Sequence, residues 1–191
     1  AEWAIPSHDI VMGFQNVAEI DFTPSLEAQR LLYGPWVAER PADLERYLPD
    51  MLPETRQVIE AGRRYSAVEL FKAHHRLAHL KIQCSNQFDV LIVPGAPTIY
   101  RIAEVAADPI ELNSRLGRYT NFVNLLDLAA ITVPAGFRPD GLPFGITLIG
   151  PAGSDAALAM LAGKFLQEKN LPCRNASSIR LAVVGAHLSG M

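Results

Sequence analysis

Two short apolar runs, each followed by a proline, mark the most regular part of the chain. Val90–Val93 precedes Pro94, and Ala129–Val133 precedes Pro134. Because a polar-faced helical segment lies between them, the region Phe88–Gly150 predicts a strand–helix–strand (βαβ) unit. Strands that stop at proline and glycine place their loops at the carboxyl edge of a sheet, where open α/β sheets bind ligands. The pattern therefore favours a small-molecule site at that edge.

The part of the chain before these strands predicts helices. Residues 17–22 have the composition of a short strand, and a helix with proline in its opening turn begins near Ser25. Gly34 and Pro35 should interrupt that helix, because proline removes a backbone donor and clashes with the preceding turn. A second helical piece follows over residues 36–48.

A longer helix begins after a capping box formed by Ser66 and Glu69, and it extends to about Gln83. Helical spacing predicts that its apolar face consists of Leu70, Phe71, His74, Leu77, Ala78 and Ile82. Ser154 and Asp155 cap a further helix over residues 156–168, whose stripe of Leu158, Leu161 and Phe165 should pack on the sheet. Helices that alternate with short apolar strands indicate an α/β sandwich.

The end of the chain predicts a domain boundary. Residues 1–166 form the first unit, and residues 167–178, which are polar and contain Pro172, form a linker. The β-branched run Ile179–Val184 predicts a strand that opens a further, truncated domain over residues 179–191, or alternatively an edge strand.

Composition excludes several classes of protein. The chain has 191 residues and a formal net charge of −3, so no basic surface for nucleic acid is expected. No apolar run approaches the roughly 20 residues that cross a bilayer, so no membrane partner is expected. Cys84 and Cys173 are far apart and show no pairing pattern, which suits the reducing cytoplasm.

Sequence motifs for common catalytic and metal sites are absent. His75 and His79 have the spacing of two zinc ligands on a helix, but no H-E-x-x-H motif or third ligand accompanies them. The chain has no phosphate-binding glycine loop and no G-x-S-x-G elbow, so neither a nucleotide cofactor nor an α/β-hydrolase site is expected. Caps and turns account for the carboxylates Asp108, Asp127 and Asp140.

The run DVLIVPGAPTIY, followed by NFVNLLDLAAITVPAGFRPDGLPFGITLIGPAGSD, resembles the C-terminal half of an amidase-signature enzyme. The segments LLYGPWVAER and PTIYRIAEVAADPIELNSRLGRYTNFVNLLDL and the tail VVGAHLSGM are similar, more narrowly, to allophanate hydrolases. The resemblance implies an α/β fold in which a mixed sheet lies between helices, with only its second half in this chain. It also implies a cytoplasmic, cofactor-free homodimer that hydrolyses allophanate, a carboxylated urea, to ammonia and carbon dioxide. The functional context would be nitrogen assimilation from urea or cyanuric acid, beside urea carboxylase.

Enzymes of this family use a serine nucleophile, a second serine in a cis peptide and a lysine that takes protons. The chain has no matching segment, since its adjacent serines Ser177 and Ser178 lack flanking glycines. No catalytic residue is therefore assigned, and the chain alone is expected to be inactive.

The resemblance assigns substrate binding to Tyr33 and Arg40. A planar guanidinium can hold a carboxylate through two parallel hydrogen bonds, and a nearby phenol can orient the ligand. Without the resemblance, an ion pair of Arg40 with Glu39 or Asp43 would be the simpler reading. The segment has one residue fewer than the family's Tyr-Glu-Gly-Pro, and the loss of one helical residue rotates all later positions by roughly 100°.

The loop Pro94–Tyr100 is expected to line the cleft through Pro97 and Thr98, and Gly95 occupies a position where the family more often has threonine. Two other functions remain open. One is a general amidase or the amidase component of a tRNA-dependent amidotransferase, and the other is a non-catalytic binding or assembly module.

Overall fold

A computed structural model describes residues 17–85 and 87–168. The predicted strand at 179–184 and most of the predicted linker lie outside the described residues. The last helix continues to Glu168, so residues 167 and 168 belong to that helix and not to a linker.

Eight α-helices are present in the part of the chain that the structure describes. They are α1 (Thr23–Leu32), α2 (Glu39–Leu44), α3 (Pro53–Glu60), α4 (Ala67–Cys84), α5 (Ile102–Ala107), α6 (Pro109–Leu116), α7 (Phe122–Leu125) and α8 (Asp155–Glu168). Three 3₁₀ segments separate the early helices, at Pro35–Ala38, Glu45–Asp50 and Ala61–Arg64. The predicted helical piece at 36–48 is therefore present but divided, because it contains 3₁₀ turns on both sides of α2.

The predicted strand at residues 17–22 is wrong. The segment forms no ladder, and α1 begins directly after it at Thr23 with proline in its first turn. The Asp21 carboxylate accepts a hydrogen bond from the Thr23 N–H at 2.9 Å, which helps to satisfy the open helix end. Hydrogen bonds from the side chain of Thr23 and from its N–H lower the pKa of Asp21. The predicted interruption at Gly34 and Pro35 is confirmed, since α1 ends at Leu32.

The capping box of α4 is confirmed, but its predicted apolar face is mostly wrong. Ser66 and Glu69 make both reciprocal hydrogen bonds of the box. Of the predicted face only Leu77 is buried, whereas Phe71 is 64% and Ile82 72% exposed. The buried residues are instead Ala73, Leu77, Leu80 and Cys84.

Contacts with α1 explain this rotation of α4. Arg76 donates from Nε to Glu27 at 2.6 Å, and the Ser25 hydroxyl lies 3.9 Å from the Cys84 sulfur. These contacts turn a side of α4 with the small residues Ala73 and Cys84 toward α1. Side-chain size alone predicts that the other side of α4 is buried, because Phe71 and Ile82 are larger apolar groups than Ala73 and Cys84.

The sheet has three strands in the described residues, β1 (Leu91–Pro94), β2 (Leu128–Phe137) and β3 (Pro143–Pro151). Their order is β1-β3-β2, and both pairs are antiparallel. The prediction of a βαβ unit is therefore wrong as to pairing. β1 and β2 run in the same direction, but the hairpin at residues 138–142 folds β3 back between them. Gly141, at φ +80°, provides the left-handed turn residue of that hairpin.

The sheet packs against helices on both faces. On one face Leu91, Val93 and Ile149 pack with residues of α1, α4 and α7. On the other face Ile146 and Leu148 pack with α8, where the predicted contact residues Leu158 and Phe165 are buried. The α/β sandwich is thus present, and none of the described helices is long and apolar enough to span a bilayer.

Candidate functional site

The carboxyl ends of β1 and β2 lie at the same edge of the sheet, on either side of β3. Pro94 and Val133 are both register partners of Ile146. The expectation that the two proline loops share one edge is therefore confirmed. Only β1 stops at its proline, because β2 continues past Pro134 to Phe137 through a bulge. A proline is tolerated there since β2 has a partner on one side only among the described strands.

The backbones at this edge approach each other closely. Gly95 donates its N–H to the carbonyl oxygen of Gly145 at 2.9 Å. A Cβ on Gly95 would lie 3.2 Å from Cγ2 of Thr132 and 3.3 Å from the oxygen of Gly145, and a Cβ on Gly145 would lie 3.1 Å from the Val133 oxygen. Packing thus favours glycine at position 95.

Two threonines form a polar pair beside these glycines. The hydroxyls of Thr132 and Thr147 are 2.8 Å apart, and the two residues are register partners on β2 and β3. Thr147 is 1% exposed, whereas Thr132 is exposed at the surface of β2. Sequence reasoning missed this pair. The signal was available, because each threonine interrupts an apolar run, A-I-T-V in β2 and G-I-T-L in β3.

The loop after β1 leaves from this edge. Pro97 and Thr98 are half-buried and lie outside any helix or strand. At the end of the loop, Tyr100 interacts with Arg115, whose Nε also donates to Glu111 at 2.9 Å. The bond to Glu111, with a smaller contribution from Tyr100, raises the pKa of Arg115. These contacts connect the loop to α6.

Tyr33 caps the carboxyl end of α1 and is 40% exposed. The break after it depends on Gly34, whose N–H donates to the Leu31 oxygen at 3.1 Å. A Cβ on Gly34 would lie 3.0 Å from the Arg30 oxygen. The turn that projects Tyr33 therefore favours a residue without a side chain.

Arg40 is the second residue of α2 and is half-buried. Within residues 17–85 and 87–168 it forms no ion pair, so the alternative pairing with Glu39 or Asp43 is not observed. A half-buried guanidinium that has no carboxylate partner within the protein can donate its hydrogen bonds to the carboxylate of a ligand.

The 3₁₀ segment Pro35–Ala38 connects Tyr33 to Arg40. It contacts α4 through Trp36 and Gly62 through Val37. The ring of Trp36 lies 4.5 Å from that of His74 on α4. Val37 is 3% exposed and lies over Gly62, where an added Cβ would be 2.4 Å from the Val37 oxygen. The position of Arg40 therefore depends on a close backbone contact in the segment before it.

The structure does not join the two halves of the predicted site directly. No hydrogen bond, ion pair or ring contact between described residues connects Tyr33 or Arg40 to Pro97 or Thr98. A surface cavity is lined by residues that follow Arg40 in the sequence: Ala42, Asp43, Glu45 and Arg46. Arg40 is not among its lining residues. The substrate-binding roles of Tyr33, Arg40, Pro97 and Thr98 stay predictions.

The close contact at Gly95 predicts that substitutions at Gly95 and Thr132 have non-additive effects on stability. Replacing Gly95 with alanine should lower the free energy of unfolding by about 1–2 kcal/mol, because the new Cβ crowds Cγ2 of Thr132. In a Thr132→Ser background, which removes Cγ2 and keeps the hydroxyl, the cost should be smaller by at least about 0.5 kcal/mol. Thermal unfolding of the four proteins of this cycle measures the coupling, and strictly additive effects would contradict the contact.

Comparison with known proteins identifies the family. A model of the amidase family matches residues 12–159. Urea amidolyase from Saccharomyces cerevisiae is 40% identical over 92% of this chain, which spans only 11% of that protein. The solved structure of a point variant of allophanate hydrolase from Kluyveromyces lactis matches with a TM-score of 0.75 and 39% identity, over 84% of this chain and 28% of that one.

A third relative matches over a smaller part of the chain. This protein, a component of the glutamyl-tRNA(Gln) amidotransferase from Chromobacterium violaceum, is 38% identical over 43% of this chain and 17% of its own length. The chain thus spans less than a third of the length of each of the three relatives. The match of the family model to most of the chain shows that this chain belongs to the amidase family.

Proposed function

We propose that this chain is the substrate-binding half of an amidase domain whose complete enzyme hydrolyses allophanate to ammonia and carbon dioxide. The observation that carries the proposal is the extent of similarity. The match to urea amidolyase covers 92% of the chain, whereas matches to amidotransferase components cover between 41% and 56% of it. The similarity to the allophanate hydrolase structure also extends over most of the chain.

Each predicted site residue has a role in this reaction. Arg40 binds the substrate carboxylate through its guanidinium, and the Tyr33 hydroxyl orients the adjoining urea group. Pro97 and Thr98 line the opposite side of the cleft. Recognition of the carboxylate separates allophanate from urea, which lacks that group and would leave the guanidinium unpaired.

The chemical step belongs to residues outside this chain. A serine nucleophile would attack the amide carbonyl while its proton passes through a second serine, in a cis peptide, to a lysine. Return of that proton would let ammonia leave, and water would then release the acyl group from the serine. Residues 1–166 would complete that amidase domain, and residues 179–191 would begin a further one after a linker. The complete enzyme would be a cytoplasmic homodimer that works with urea carboxylase, because a carboxylated urea must first be formed.

A different amide substrate is the second candidate, favoured by the partial match to the amidotransferase component. A non-catalytic assembly role is the third. In contrast to these, the proposed function depends on a substrate whose carboxylate is attached directly to the urea group that is hydrolysed.

Ammonia release by the complete protein distinguishes the three candidate functions. With allophanate, kcat/KM should exceed that with acetamide by at least about a hundredfold, because acetamide has no carboxylate and two charge-assisted hydrogen bonds to that group are worth roughly 3 kcal/mol. Release from glutamine should also be slower, because its carboxylate lies farther from the amide than the carboxylate of allophanate does. Faster release from glutamine would favour the amidotransferase. No release from any of the three amides by a folded protein would favour the assembly role.

A further inference from the structure

Helix α4 has a second apolar stripe on the side opposite its buried residues. Val68 and Phe71 are each 64% exposed, and Ile82 is 72% exposed. Exposed His75 and Ala78 lie between them in the sequence. An amphipathic surface helix ordinarily has one apolar face, which packs on its own core. Here the core contact is already made by Ala73, Leu77, Leu80 and Cys84.

The spacing of the exposed stripe is that of a coiled coil. Its members alternate at intervals of three and four residues, as positions a and d of the heptad do: Val68, Phe71, His75, Ala78 and Ile82. The buried residues of α4 fall at the outer heptad positions c and f. From Val68 to Ile82 the stripe extends roughly 21 Å, which is four helical turns. This length suits a second helix lying along α4.

The residues that flank the stripe are basic or neutral. The heptad positions e and g beside it are occupied by Lys72, His74, His79 and Lys81, together with Ala67. The nearest carboxylates are already used, since Glu69 completes the capping box and Glu27 binds Arg76. Lys72 has a weak attraction to Glu69, and no carboxylate of the described residues forms an ion pair with Lys72 or Lys81.

This charge pattern disfavours a second copy of the same helix as the occupant. In a parallel pair position g faces e, and in an antiparallel pair e faces e and g faces g. In either arrangement a second copy would present only lysines, histidines and Ala67 at e and g, and so would provide no carboxylate to pair with Lys72 or Lys81. Acidic residues at those positions of a different helix would provide such pairs.

We propose that the exposed stripe of α4 docks an amphipathic helix of a separate partner polypeptide whose apolar residues are flanked by glutamate or aspartate. The apolar side chains of Phe71 and Ile82 would be buried by the partner, and Lys72 and Lys81 would pair with its carboxylates. This surface is independent of the substrate proposed above, so its test does not depend on enzymatic activity.

The probe is a fluorescein-labelled three-heptad peptide with leucine at a and d and glutamate at e and g. Fluorescence anisotropy with the complete protein should show saturable binding that weakens at high salt, because rim charges are screened. A peptide with lysine at e and g should bind at least tenfold more weakly. Phe71→Glu should weaken binding of the glutamate peptide at least tenfold. Met160→Glu, on the surface of α8 at a residue that is 68% exposed, should leave binding unchanged.

Three results would overturn the proposal. The first is equal binding of the two peptides, or no binding of either. The second is a concentration-dependent dimer in sedimentation that Phe71→Glu dissociates, which would make a second copy the occupant. The third is protection from alkylation of a cysteine introduced as Phe71→Cys in the monomeric complete protein, when Ile102→Cys, at a residue that is 90% exposed, reacts freely. Protection would show that the protein's own polypeptide covers the stripe.

Discussion

Replacing Arg40 with alanine in the complete enzyme is expected to raise the KM for allophanate about a hundredfold, with kcat within about threefold of the unmutated value. The loss corresponds to about 2.7 kcal/mol, as expected when charge-assisted hydrogen bonds to a carboxylate are removed. An effect on KM alone is expected because the carboxylate is bound equally in the ground and transition states. Steady-state ammonia release measures both constants.

Two further variants make the Arg40 experiment specific. Arg40→Lys should recover only part of the loss, because an ammonium group cannot form two parallel hydrogen bonds to one carboxylate. Arg46→Ala is the matched control, since Arg46 is exposed just after α2 and its guanidinium lies 4.8 Å from the ring of Tyr47. Kinetics unchanged by Arg40→Ala, with normal circular dichroism, would remove Arg40 from the site.

The second large effect is expected at Gly62. Alanine there would bring Cβ to 2.4 Å from the backbone oxygen of Val37 and 2.8 Å from its carbonyl carbon. Both atoms belong to the backbone of a buried segment, so they cannot move aside as a flexible side chain would. We expect a loss of about 3 kcal/mol of unfolding free energy, at the upper end of the usual cost of overpacking. The thermal midpoint of the complete protein measures this loss.

A matched glycine provides the control for Gly62. A Cβ on Gly163 in α8 would meet no atom within 4 Å. Gly163→Ala should therefore stabilise the protein by about 0.5–1 kcal/mol, because alanine loses less conformational entropy in a helix. Gly62→Ala should also raise the KM for allophanate, since the 3₁₀ segment over Gly62 leads into Arg40. Equal thermal midpoints for the two variants would contradict the close contact.

Local chemistry was predictable from the sequence. The capping box at Ser66 and Glu69 depends on residues three positions apart, and the buried stripe of α8 depends on one apolar helix face. The break at Gly34 and Pro35 follows from the backbone of those two residues. The cap and the break are determined within a few residues, and the stripe of α8 follows from a single apolar helix face.

Features that depend on distant partners were not predictable in the same way. The buried side of α4 is set by Glu27 and Ser25 of α1, which select a face with smaller side chains. The placement of β3 between β1 and β2 follows from a pairing that the apolar runs alone do not encode. The substrate roles proposed for Tyr33 and Arg40 rest on resemblance, because a half-buried arginine and an exposed tyrosine have no distinctive local signature.

The central position of β3 also constrains the order in which the site can assemble. β2 and β3 are joined by a short hairpin, whereas β1 pairs with residues far along the chain, such as Leu91 with Ile149. Closing a long loop costs more entropy than closing a short one, so formation of the hairpin before the docking of β1 is favoured. During synthesis, β1 and the loop with Pro97 and Thr98 leave the ribosome well before their supporting strand exists. The loop proposed to line the cleft is therefore supported last by β3, a strand that contributes none of the predicted substrate contacts.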